Sequence, residues 1–170
     1  GGSCQAMEGS KAVIYSLSGT ISHIGPNFAI VTSAGLGYQV FVAANTLTDL
    51  HINSTVSLWT SHIINDSNQT LYGFRSHEER NFFELLMTVS GVGGKTALNI
   101  MGLAPLQDLQ AAIRSGDPSM LTRVSGVGKR TAERVVVELK EKIATGEAMN
   151  ATQGDAFDAL QSLGYSAHDV

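Results

Sequence analysis

Cysteine is nearly missing from this chain: Cys4 is the only one in 170 residues. A lone thiol forms no internal disulfide, which fits a reducing cytosol. No signal peptide and no apolar run long enough to span a bilayer is present, so neither secretion nor a membrane partner is expected. Positive charge is absent over a long stretch: from Ala12 to Phe74 there is no Lys or Arg, and Asp49 and Asp66 are the only acids. Metal-ligand spacing is lacking too, because His23, His51, His62, His77 and His168 are scattered. No Ser, Cys or Lys stands where an activated nucleophile would, and Glu78-Glu79 sits where a helix start favours acids. These absences weigh against catalysis, metals and cofactors; no catalytic residue, metal ligand or cofactor is expected.

What is present is unevenly placed. The formal net charge of −4 taken alone argues against nucleic acid, yet ten of the eleven basic residues lie between Arg75 and Lys142, against eight acids, a local net of +2. From Ile143 onward there are four acids and no base. A basic middle between neutral and acidic flanks suggests one DNA-facing surface with the other surfaces kept off it.

Patterning divides the chain into a multidomain α+β protein. Residues 1–11 read as an expression scar outside the fold. Residues 12–75 alternate like strands (Ala12–Ser18, Asn27–Thr32, Tyr38–Ala43, Val56–Ile64 and Thr70–Phe74), with Gly19, Gly25-Pro26, Gly35 and Gly37 as breaks. Five short strands with Gly-rich turns suit a small OB-type β-barrel, with Asn45–Leu50 as a helical crossover. At Ser76 the period becomes helical, opened by a Ser76/Glu79 capping box. Residues 76–143 read as an all-helical domain of five helices: one carrying Phe82 to Val89, Lys95–Met101, a third with Pro105 at N1 and Gly116 past its end, a fourth opened by Asp117-Pro118, and Lys129–Ile143. Residues 144–154 (ATGEAMNATQG) form a polar, aperiodic linker. Residues 155–170 resume helical spacing through Phe157, Leu160 and Leu163, but sixteen residues are too few to bury a core, so this last helical unit reads as incomplete. Trp59 and most other aromatic residues fall in the apolar pattern and read as core.

The strongest signal is a repeat. Val89-Ser-Gly-Val-Gly-Gly-Lys-Thr-Ala97 recurs thirty-five residues later as Val124-Ser-Gly-Val-Gly-Lys-Arg-Thr-Ala132, with seven of nine positions identical. A Gly-Val-Gly turn leading into a helix presents successive backbone N–H groups at the positive end of the helix dipole, which makes an anion site. Lys95, Lys129 and Arg130 stand in first turns, where a cation opposes the dipole by roughly 0.3–1 kcal/mol. An arriving phosphate reverses that penalty. Two such sites, around Gly91 and Gly93 and around Gly126 and Gly128, form a clamp for a phosphate backbone. This is the signature of tandem helix-hairpin-helix motifs, which bind DNA without reading bases; compact packing turns or protein-binding hairpins are the competing readings. Thr96 and Thr131 either add hydroxyl donors or pack on the turn. Gly91-Val-Gly-Gly-Lys-Thr96 only mimics a P-loop: Val89 stands where the first Gly belongs, and a helix rather than a strand precedes it.

These residues together resemble the RuvA family. The matching stretches are Val13-Ile-Tyr-Ser-Leu-Ser-Gly19, Gly35-Leu-Gly-Tyr-Gln39, Thr70-Leu-Tyr-Gly-Phe74, Glu79-Arg-Asn-Phe-Phe-Glu-Leu-Leu86 and both Gly-Val-Gly hairpins. The second hairpin runs on into Thr131-Ala-Glu-Arg-Val-Val-Val-Glu138, and Asp155–Tyr165 resembles the start of the family's small third, UBA-like domain. The resemblance implies a homotetramer built on the barrels, a partner in four-way (Holliday) junction DNA held open and square-planar, and minor-groove phosphates gripped by Gly91, Gly93, Lys95, Thr96, Gly126, Gly128, Lys129, Arg130 and Thr131. It implies that the loop His62–Gln69 carries an acidic pin, Asp66, at the junction centre. It further implies recruitment of the hexameric ATPase RuvB by the third domain, of which Phe157, Leu160, Leu163 and Tyr165 are the residues present here, and a junction shared with the resolvase RuvC.

Two departures stand out. The family's central loop offers two adjacent acids, whereas Asp66 is followed by Ser67, and the barrel lacks basic residues to hold the crossover. The expected function is a non-catalytic, cytoplasmic, junction-binding subunit of recombination and repair; the alternative is the tandem helix-hairpin-helix module of a repair or excision complex.

Overall fold

The computed structural model describes residues 13–65 and 67–144. They divide between two compact units that part after Arg80.

The first unit is a closed five-stranded barrel in the order β1-β2-β3-β5-β4, with β1 Ser16–Ile24, β2 Phe28–Ser33, β3 Leu36–Val42, β4 Thr55–Asn65 and β5 Asn68–Phe74. All pairs are antiparallel except β3 with β5, which run parallel from Val40↔Leu71 to Val42↔Gly73. The crossover between β3 and β4 contains the short helix α1, Ala44–Leu47, as the sequence suggests. Alternation sends Leu17, Val31, Val40, Val42 and Leu58 into the barrel core. Burying each such side chain contributes about 1.5–3 kcal/mol.

Closure depends on β1 serving two neighbours. Residues Ser16–Thr20 pair with β4 and Thr20–Ile24 pair with β2. Gly19 lies at the exchange point, where an added Cβ would run into the backbone carbonyl of Thr32. The expected break at Gly19 is therefore a paired position inside one strand, which glycine takes because another backbone comes so close. Gly37 likewise lies within β3 rather than between strands.

The connection expected over His62–Gln69 is also shorter than the sequence implied. β4 continues to Asn65, and β5 begins at Asn68, its pairing partner. Polar residues at the end of a two-stranded ribbon lose the apolar alternation that marks a strand, because both faces meet solvent there.

Arg75 and Arg80 are the Lys or Arg residues of this unit among the described residues. Arg75 donates to the carbonyls of Asn45 and Thr46, at 3.1 and 3.3 Å, and pairs with Asp49, so it holds helix α1 in place. Arg80 is buried, donating from Nε to the Thr60 carbonyl at 2.7 Å and from a terminal nitrogen to the Tyr15 hydroxyl at 3.0 Å. Trp59, expected in the core, is 38% exposed instead. Its ring sits edge-on to Tyr15 and His77, with centroids 6.0 and 4.9 Å away.

The second unit is helical: α2 (His77–Met87, which begins in the first unit), α3 (Gly94–Met101), α4 (Leu106–Ser115), a single 3-10 turn (Leu121–Arg123) and α5 (Lys129–Ala144). The Ser76 hydroxyl accepts the Glu79 N–H at 3.1 Å, as a capping box requires, but the Glu79 carboxylate reaches the Arg75 N–H instead of that of Ser76. Pro105 is the N-cap of α4, at ψ 150°, not its first helical residue. Gly116 and Asp117 close α4 by donating to Ile113 and Ala112, a Schellman pattern. The expected fourth helix shrinks to the 3-10 turn: the Asp117 side chain caps the Ser119 N–H at 2.9 Å, as at a helix start, but the chain reaches the second Gly-Val-Gly too soon to extend. No helix among the described residues is long and apolar enough to cross a membrane.

Candidate nucleic-acid interface

The two copies of the repeat build the same turn. In the first, Val92 N–H donates to the Val89 carbonyl at 3.0 Å; in the second, Val127 donates to Val124 at 3.0 Å. Gly91 has φ +89° and Gly126 φ +87°, a region that side-chain-bearing residues rarely adopt. The valines of both turns (Val89, Val92, Val124, Val127) are buried and anchor the loops from beneath. Ala97 N–H then donates to Gly93 at 2.8 Å and Ala132 to Gly128 at 2.9 Å, which sets the first bond of each following helix.

Gly93 is the N-cap of α3 and supplies no side-chain hydrogen bond; Gly128 stands in the same place before α5. A helix's first amides have no intrahelical acceptor, and a glycine cap leaves them to an outside ligand. Space is open there as well: a Cβ added at Gly93 or Gly128 would meet nothing within 4 Å. Lys95, Lys129 and Arg130 are exposed beside these amides, while Thr96 and Thr131 are half-buried. The Thr96 hydroxyl lies 3.6 Å from where a Cβ on Gly126 would be, so the first hairpin's threonine borders the second hairpin's turn. Each turn thus combines open amides, a helix start without acids and one or two cations, which together suit an oxyanion.

Sequence reasoning missed the residues that join the turns. Arg134 on α5 donates to the Ser90 carbonyl at 3.3 Å, and Asn99 on α3 donates to the Ser125 carbonyl at 3.4 Å. The repeat's own offset of thirty-five positions relates Asn99 to Arg134 and Ser90 to Ser125. Identity between the copies stops at Ala97 and Ala132, so residues of different type beyond that point gave no signal.

Comparison with known proteins agrees with this architecture. Residues 14–73 match the model of the RuvA N terminal domain, and residues 83–141 that of the SAM-like helix-hairpin-helix tandem. Among curated relatives named Holliday junction branch migration complex subunit RuvA, that of Opitutus terrae is 42% identical, covering 93% of this chain and 87% of its own length. Those of Chloroflexus aurantiacus and Protochlamydia amoebophila are 40% and 38% identical, covering 93% and 88% of this chain and 85% and 82% of their own lengths. The chain belongs to the RuvA family. Its barrel and helical tandem are the RuvA pair in RuvA order. Of the site residues that the RuvA resemblance implied, Asp66, Phe157, Leu160, Leu163 and Tyr165 lie outside the described residues. The nine hairpin residues all fall within the two turns just described and the first turns of the helices that follow them.

Proposed function

We propose that this chain is the DNA-binding subunit of a branch-migration complex, and that it recognises four-way junctions through phosphates rather than bases. The observation that carries the reading is the duplication of one anion-suited turn within one unit, with Gly91 and Gly126 at φ +89° and +87°. Two cradles of the same build suit a ligand that repeats its negative charge, as a duplex backbone does, better than a small ligand with one anionic group. Gly91, Gly93, Lys95 and Thr96 form the first cradle; Gly126, Gly128, Lys129, Arg130 and Thr131 form the second.

In this reading each subunit of a homotetramer grips one junction arm, and the open, square-planar junction follows from four-fold symmetry. Asp66, in the β4–β5 connection, places negative charge at the crossover and repels strands that would close it. The chain itself performs no chemistry; the RuvB ATPase supplies the motor and is recruited through the segment of the chain that includes Phe157, Leu160, Leu163 and Tyr165, while RuvC shares the junction. A gel-shift comparison of a four-way junction with a linear duplex of the same sequence, at one fixed salt concentration, tests this. Preferential retention of the junction is expected; equal affinity for both would contradict the reading.

A further inference from the structure

The two side-chain bonds between the hairpins form a reciprocal pair. Asn99, on the helix after the first turn, holds the second turn by its Ser125 carbonyl; Arg134, on the helix after the second turn, holds the first by its Ser90 carbonyl. Each donor is the other's counterpart in the repeat, and so is each acceptor. That reciprocity is what a local two-fold relation requires: residue i meets j, and j meets i. The acceptors matter because each serine immediately precedes its left-handed glycine, Gly91 or Gly126. A pull on the Ser90 or Ser125 carbonyl therefore acts on the peptide plane that orients the cradle.

Both bonds are long, at 3.3 and 3.4 Å, so neither is strong alone. The Arg134 bond has further support from α5. Arg134 Nε lies 4.0 Å from the Glu138 carboxylate one turn along α5, and Lys142 Nζ donates to the Thr88 hydroxyl at 2.9 Å, just before the first turn. The Arg134 side chain is 52% exposed, so it is also within reach of solvent anions. Its geometry separates two roles: a phosphate ligand adds charge to the interface, whereas a strut fixes the separation of the cradles.

We infer that Asn99 and Arg134 are positioning residues that hold the two anion cradles at one separation and orientation, so that both engage one duplex backbone together. The inference rests on the phosphate-binding reading above and adds its geometric cause. Two cradles fixed to each other bind as a chelate, because the second phosphate contact costs no further ordering. Loss of one strut leaves the other in place; loss of both frees the turns from each other.

The test uses the full chain and three variants: Asn99→Ala, Arg134→Gln and both together. In the free protein, backbone amide NMR should show crosswise shifts, with Asn99→Ala moving the amides around Gly126 and Arg134→Gln those around Gly91. Junction affinity should fall about threefold for each single variant, the size of one modest hydrogen bond. The double variant should lose more than the product of the two, with the slope of log K against log salt unchanged. A fall in that slope of about 0.9 for Arg134→Gln, with Asn99→Ala binding normally, would make Arg134 a phosphate ligand and overturn the inference. Absence of the crosswise shifts would overturn it too. Crosswise shifts in a chain whose wild type binds no junction would instead refute the DNA-binding reading while upholding the struts.

Discussion

Gly91 and Gly126 are thirty-five positions apart and adopt the same left-handed backbone, at φ +89° and +87°. An L side chain in that conformation costs roughly 1–2 kcal/mol, since its Cβ crowds the neighbouring carbonyl. Gly126→Ala should therefore lower the stability of the helical unit by about that amount, and junction binding should fall with it. Thermal unfolding followed by circular dichroism checks this. An unchanged melting temperature would mean that the turn relaxes to another backbone.

Gly93 and Gly128 should behave in the opposite way. Neither has a left-handed φ, and a side chain on either points into open space. Serine is among the best N-cap residues, and its hydroxyl would accept the same first-turn amides that a phosphate needs. Gly93→Ser with Gly128→Ser should hold or raise stability by a few tenths of a kcal/mol while weakening junction binding. Stability and binding moving in opposite directions is the expected pattern; full affinity would mean that those amides do not meet DNA.

Asp66 should govern selectivity more than affinity. A carboxylate near a phosphate crossover repels it, and repulsion that excludes wrong substrates yields discrimination. Asp66→Asn should bind junction and duplex more tightly while distinguishing them less. Weaker binding by the variant, measured by gel shift on both DNAs, would contradict the proposed role.

Asp117 offers a check on the chain entering the second hairpin. Its carboxyl is held below the usual value by the Ser119 side chain first and the Ser119 backbone N–H second. A depressed pKa gives stability that is present at neutral pH and is lost as pH falls through the folded-state value. In an NMR titration, Ser119→Ala should move the Asp117 carboxyl back up toward its ordinary value. No movement would mean that the backbone N–H alone holds it.

The barrel and the repeat were legible because each obeys a short-range rule. Alternation between Gly-rich turns marked five short strands, and the repeated turn required glycine at Gly91 and Gly126. What the sequence hid depended on distant partners. Gly19 looked like a break because its reason, the Thr32 carbonyl, comes from another strand. Trp59 looked like core because an apolar residue in an alternating strand carries no mark of which face meets solvent. The fourth helix was over-read because Asp117-Pro118 is a valid helix start, and only the closeness of the next turn stops it. Asn99 and Arg134 share no chemistry that a repeat search would match, although the fold gives them one task.

In the proposed function the paired turns are phosphate cradles, and the salt dependence of junction binding counts the phosphates they hold. Each phosphate neutralised on duplex DNA steepens log K against log salt by about 0.9. Lys129→Ala with Arg130→Ala should therefore flatten the slope by about 1.8 and weaken binding alike for junctions of every sequence. A slope equal to that of the wild type, with affinity retained, would contradict the claim and remove the hairpins from the DNA interface.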